Sequence, residues 1–270
     1  MLYLRKKEGG EKVATKYPII LAHGIFMKPR FFRVFKHIQK RLTEAGYRVY
    51  IADTDGVGSI ETNVHQLKEQ ILRILEKEGV DKLNVIAHSK GGLETFYMIE
   101  NLQMADKIAS VTTLSTPYRG SQVASWVTEL PSPILSTFVF ICNGFYKILG
   151  DKNPDLRSSL NQLRVNDSYE NKDMTPFGNI YCQSYSSRMH KAHSDPVLSI
   201  PYLISTKREK DFSDGMVSCG SSQFADYKGD CIDGSVSHNE IVCYLTRRKK
   251  KKIVVDFYLK ICRELGEKGL

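Results

Sequence analysis

The sequence predicts an open α/β fold with a mostly parallel central sheet flanked by helices, and three observations carry that expectation. Short β-rich runs alternate with segments of helical period, each run is nearly continuous in apolar residues, and no composition break divides the 270 residues. Continuous apolar runs suit strands buried on both faces, as in parallel sheets whose crossover helices cover both sides. A chain of this length lies at the upper end of one domain, and 41% hydrophobic residues supply a sizeable core. Residues 1–270 are therefore read as a single domain.

The strand candidates are YPIILAHG (17–24), YRVYIAD (47–53), LNVIAHS (83–89), IASVTTLS (108–115) and NIYCQSYS (179–186). Between the first two, Phe31, Phe35, Ile38, Leu42 and Ala45 share one helical face, and Gly46 is placed to end that helix. Ile60, Val64, Leu67, Ile71, Ile74 and Leu75 repeat the spacing, with Ser59 as N-cap and Gly79 as terminator. After TPYRGS (116–121) the alternation breaks into an insertion of about 121–178. Its first half, 123–150, is unusually apolar and holds the only tryptophan, Trp126, whereas 151–178 is polar. Two readings fit such a segment: extra core helices, or a mobile cover over an apolar pocket beside a site. In an open α/β fold the ligand sits beyond the carboxyl ends of the strands, so reactive residues are sought there.

The formal charge of +9 is partly concentrated in TRRKKKK, 246–252. A solvated basic face explains such a run. Attraction to anionic lipid, at about 1 kcal/mol per clustered cation, is the functional alternative. No nucleic-acid-binding motif accompanies the charge. No run of about 18 apolar residues occurs, which argues against a transmembrane helix. Met1 to Lys16 has no apolar signal region, so the chain is read as cytoplasmic as numbered, or as secreted with a signal already removed. The six cysteines show no C-x-x-C spacing, which argues against zinc and leaves disulfides open.

VIAHSKGGLE (85–94) places Ser89 where a strand should meet a helix beginning near Gly91. A serine there can simply cap the helix. A nucleophile on such a turn instead needs small residues two before and two after it, because strand and helix backbones approach closely. Ala87-His88-Ser89-Lys90-Gly91 meets that need, with alanine in place of the first glycine. Acyl transfer also requires donors for the oxyanion of a tetrahedral intermediate, usually two backbone N–H groups. One belongs to the residue after the nucleophile, Lys90, and the other to the loop after the first strand, LAHGIF (21–26), where Ile25 is the candidate. His23 and Phe26 beside that loop, with Trp126, Phe138 and Phe140 in the insertion, are candidates for the pocket wall and lid.

The acid and base should follow in the order Ser, Asp, His. SVSHNEIV places His238 late in the chain before an apolar segment, and FSDGMV places Asp214 on a turn. Asp211 is the competing acid. In this scheme Asp214 fixes the tautomer of His238, which takes the proton of Ser89 and returns it to the leaving alcohol.

Five blocks in order, YPIILAHG, AHSKGGLE, VTTLSTPYRGS, SDGMVSCGSS and SHNEIV, resemble the bacterial triacylglycerol lipases known as family I lipases, over most of residues 17–246. The resemblance implies an α/β-hydrolase fold, carboxylic-ester hydrolysis, a lid after TPYRGS, and lipid or ester substrates with transient binding to a lipid interface. It implies no cofactor for the chemistry itself. It does imply a structural calcium near the histidine, with Asp195 and Glu240 at the matching positions, although glutamate stands where aspartate is usual. Lys90 also departs from the family, which usually has a neutral residue there. An acyltransferase would use the same three residues, and a non-catalytic lipid-binding module is the remaining alternative.

Overall fold

The computed structural model describes residues 14–166 and 174–270. The N-terminal reading over 1–13 and the 167–173 part of the insertion lie outside the described residues. Six parallel strands, β1 (Ile19–Ala22), β2 (Val49–Ile51), β3 (Leu83–His88), β4 (Ile108–Leu114), β5 (Tyr181–Ser186) and β6 (Asp226–Asp230), form one sheet in the order β2-β1-β3-β4-β5-β6.

Alternation along the central strands divides the core into two layers. Ile20, Ala22, Val85 and Ala87 face one side and pack with α3 (Ile60–Glu78) and α4 (Lys90–Asn101). Ile19, Leu21 and Ile86 face the other and pack with α2 (Lys36–Glu44) and α9 (Arg248–Glu267). Each aliphatic side chain so buried contributes about 1.5–3 kcal/mol. The Ser59 hydroxyl accepts from the Thr62 N–H to cap α3, and Gly79 ends it in the left-handed region.

Two elements differ from the sequence reading. The helix expected over Phe31–Ala45 is broken: α1 (Pro29–Phe32) stops at Arg33, and Phe35, at φ 61°, precedes α2. The break lets the Phe35 N–H donate to the Val242 carbonyl at 3.1 Å while its ring packs on Tyr258. Phe31, counted on the buried face, is exposed as a result. The sixth strand, DYKGD, has no apolar alternation because it is an exposed edge.

The insertion folds as α5 (Gln122–Thr128), α6 (Ser132–Ile148) and α7 (Leu156–Gln162), with α8 (Ser199–Glu209) following β5. Leu135, Val139 and Tyr146 of α6 are buried, whereas Phe140, Ile141 and Ile148 point outward at 80%, 62% and 84% exposure. Among the described residues no single helix is long and apolar enough to cross a membrane; α5 and α6 together pass by length and composition but bend by 112°.

Candidate active site

Strand order decides where a site can form. The chain runs from β1 to β2 on one side and then to β3 on the other, so the loops leaving β1 and β3 diverge and open a crevice at the carboxyl edge. Ser89 sits in that crevice between β3 and α4, at φ 55° and ψ −130°. A non-glycine residue held there costs about 1–3 kcal/mol and persists only where neighbours fix it. Here the Ser89 N–H donates to the Leu114 carbonyl at 2.9 Å, and the Thr116 hydroxyl donates to the Ser89 carbonyl at 3.0 Å. The Ser89 side chain makes no capping bond to α4. Its hydroxyl is therefore not spent on the helix. Close approach explains two glycines: a Cβ at Gly91 would lie 2.5 Å from the His23 carbonyl oxygen, and one at Gly24 would lie 2.7 Å from Ser89 Cβ.

Asp214 and His238 come together from the loops after β5 and β6. His238 Nδ1 lies 2.7 Å from Asp214 Oδ2, and the His238 backbone N–H donates to the Asp214 carbonyl at 2.9 Å. The Met216 and Val217 N–H groups each donate to Asp214 Oδ1 at 2.9 Å, and the Ser187 hydroxyl donates to Oδ2 at 3.0 Å. Burial pushes the Asp214 carboxyl up, but the facing His238 and these N–H donors outweigh it, so its pKa lies below the ordinary value. An ionised Asp214 accepts only, which assigns the proton to Nδ1 and leaves Nε2 as an acceptor. The His238 ring packs against His88, the residue before Ser89, with centroids 4.3 Å apart and the rings tilted by 49°. Asp211, the competing acid, is instead turned to the Gly220 and Phe212 N–H groups.

A cavity of about 240 Å³ opens beside Ser89, walled among others by Phe26, Val123, Phe138, Leu160 and Met216. Among the described residues, the N–H groups of Ile25 and Lys90 donate to no protein acceptor, whereas the flanking Phe26 N–H is taken by Gly56. Of the aromatic candidates, Phe26 and Phe138 line the cavity; Trp126 and Phe140 do not. His23 lies buried behind the loop, with Nδ1 3.0 Å from the Gly24 carbonyl and Nε2 3.3 Å from the Thr54 hydroxyl. Three participants went unread in the sequence: Ser187, His88 and the Leu160–Leu163 wall. His88 was visible beside the serine, while Ser187 and the wall carry no local signal because only the sheet and α7 bring them near.

Lys90 contributes more than a backbone donor. Its ammonium is buried, donating at 2.6 Å both to Glu94 Oε1 and to the Gly58 carbonyl. Asn63 donates to the same Glu94 oxygen at 2.7 Å. The side chain thus fastens the serine turn to the loop before α3.

The acids expected around calcium, Asp195 and Glu240, converge on Ser237, but their oxygens face protein donors. Asp195 Oδ2 accepts from the Ser237 hydroxyl at 2.7 Å, Asp195 Oδ1 from the Val197 N–H at 3.0 Å, and Glu240 Oε2 from the Lys250 ammonium at 2.6 Å. A calcium ion takes six to eight oxygens. Among the described residues no group of three or more His, Cys, Asp or Glu is arranged to hold a metal. The donor set therefore does not fit calcium. All six cysteines are free thiols.

A parallel sheet with a positive-φ serine on the strand-to-helix turn at its switch point, and a hydrogen-bonded Asp-His pair on later loops, defines the class of open α/β proteins whose site lies at the carboxyl edge of the strands. The chain belongs to the alpha/beta hydrolase fold family, whose profile matches residues 17–151. It is 32% identical over 166 residues to a triacylglycerol lipase of Pseudarthrobacter phenanthrenivorans, covering 56% of this chain and 50% of that protein. Triacylglycerol lipase 2 of Saccharomyces cerevisiae is 27% identical over 262 residues, covering 86% of this chain and 73% of that protein. The chain spans about half the length of the first of these relatives. Among solved structures, mature Bacillus licheniformis lipase BlEst2 superposes with a TM-score of 0.66 at 16% identity, covering 96% of both chains. The metagenomic carboxyl esterase MGS0156 gives 0.68 at 14% identity, covering 93% of this chain and 76% of that one.

Proposed function

We propose that the protein hydrolyses carboxylic esters with an apolar acyl chain through Ser89, His238 and Asp214. The observation that carries this reading is the apolar cavity at Ser89, because an acyl chain bound there would lie beside a hydroxyl that the helix does not use. His238 Nε2 accepts the Ser89 proton as Oγ attacks the ester carbonyl, and Asp214 stabilises the imidazolium that forms. The free Ile25 and Lys90 N–H groups receive the oxyanion, each worth roughly 3 kcal/mol in such a role. His88 keeps a neutral ring against His238, since burial holds its pKa well below the ordinary value, followed by the neighbouring His238 and His23. His238 then protonates the departing alcohol, and water, activated by the same ring, releases the acid from the acyl-enzyme.

Helix α6 serves as the cover: Phe138 closes the cavity, while Phe140, Ile141 and Ile148 offer an apolar outer face to a lipid surface. The deciding experiment compares wild type with Ser89→Ala on p-nitrophenyl esters and a fluorophosphonate label. Loss of turnover by a factor of at least about 10³, together with loss of labelling and an unchanged melting temperature, is expected. Wild-type turnover in the variant would reject the proposal.

A further inference from the structure

The basic run 246–252 leads into α9, and its Arg247, Arg248, Lys249 and Lys252 are exposed, whereas Lys250 is half-buried. It reaches back over ten residues to Glu240 Oε2 at 2.6 Å, and its side chain is 29% exposed against 8% for the glutamate. Glu240 Oε2 also accepts the Ser237 N–H at 3.1 Å, and the Ser237 hydroxyl accepts the Glu240 N–H at 3.2 Å. Ser237 Oγ donates in turn to Asp195, which Asn239 Nδ2 also approaches at 3.3 Å. Residues on both sides of His238 are therefore tied into one network.

The carbonyls of the same turn are engaged as well. Those of Ser237, Asn239 and Glu240 accept from the Ile241, Tyr244 and Cys243 N–H groups. A divalent cation would have to displace several of these bonds and an ammonium besides. The positive charge facing Glu240 is already supplied by the chain, and the Asp195 oxygens are already met by Ser237, Asn239 and Val197 donors.

We propose that Lys250 is a positioning residue that holds the His238 turn through Glu240, one of the two acids where the resemblance to family I lipases implies calcium, and that the protein needs no calcium. The proposal rests on the reading of His238 as general base only for its kinetic part. Its test takes the full chain through three measurements: calorimetric titration with calcium chloride, thermal melting in EGTA and in calcium, and p-nitrophenyl butyrate kinetics against pH. The wild type is expected to show no binding heat, one melting temperature and one kcat in both buffers.

Lys250→Met is expected to lower kcat about tenfold, with KM within about twofold and an altered acid limb of the pH profile, because a displaced base slows the chemistry rather than binding. Lys250→Arg, which can still donate to Glu240, restores both. Glu240→Gln, which keeps an acceptor for the Ser237 N–H, makes the same test should Lys250→Met fail to fold. Calcium binding that raises the wild-type melting temperature would overturn the proposal, as would wild-type kcat and pH profile in both variants. A wild type with no esterase activity would instead sink the proposed function, leaving the titration and melting to decide calcium independence by themselves.

Discussion

At Lys90 and Glu94, side chains 1% and 2% exposed, an ion pair lies directly beneath the serine turn. Removing two charges from water is costly, and their mutual attraction offsets that cost only with added hydrogen bonds, here from Asn63 and to the Gly58 carbonyl. Taking away one partner strands the other. Lys90→Met should therefore destabilise the protein by about 3–5 kcal/mol, whereas Lys90→Met with Glu94→Leu should recover most of that loss. Urea unfolding of the two variants checks this, and a double variant as unstable as the single would refute it. The pair also bears on the proposed chemistry, because it fixes the residue whose N–H is proposed to receive the oxyanion. The stable double variant should then keep KM but lose kcat, since a mobile first turn of α4 no longer presents the donor rigidly.

At the scale of elements, α6 shows how far a helix can be read from its letters. The apolar stretch 123–150 reads equally as core helices or as a cover, and α6 has both a buried and an exposed face; which face meets the cavity is a matter of tertiary placement. Phe138 closes the wall and Phe140, two residues on, faces solvent. The inner strands β1, β3 and β4 were legible because burial on both faces writes itself as runs rich in apolar and β-branched residues. Edge strand β6, Asp226–Asp230, buries little and so leaves no such trace. The break between α1 and α2 was equally hidden, since the bond from Phe35 to Val242 joins residues 207 positions apart (242 − 35). Ser89, Asp214 and His238 were proposed from a motif in a fixed order, of which the fold brings Asp214 and His238 into contact, whereas Ser187 and the Lys90 network depend on pairings that only the folded sheet creates. A cavity of about 240 Å³ lies just under the usual range of about 300–1,000 Å³ for ligand sites. Phe138→Ala should enlarge it and move the preferred p-nitrophenyl ester toward longer acyl chains, while Phe140→Ser should leave soluble-ester turnover within about twofold and weaken turnover of emulsified esters. A chain-length profile unchanged in Phe138→Ala would remove Phe138 from the acyl site.

For the whole molecule, the carboxyl edge of the sheet concentrates buried imidazoles, and that sets its response to acid. His23 follows β1 and His88 ends β3; burial lowers the pKa of each, and for His23 it outweighs the opposing bond to the Gly24 carbonyl. In the unfolded chain a histidine titrates near about 6.5. Because the folded values lie lower, below about pH 6.5 the unfolded state binds more protons than the folded one, and stability falls as pH falls. Asp214 acts in the same direction but in a lower window: its folded pKa is depressed, so its contribution is complete above about 3.9 and is lost only beneath that. Between about pH 6.5 and 4 the slope therefore belongs mainly to the histidines. His88→Leu, which cannot take up a proton, should flatten the fall in urea-derived stability between pH 7 and 5 without steepening it at lower pH. A wild-type slope in His88→Leu would mean that the burial of His88 does not govern its protonation, and the neutral backing assigned to His238 would fall with it.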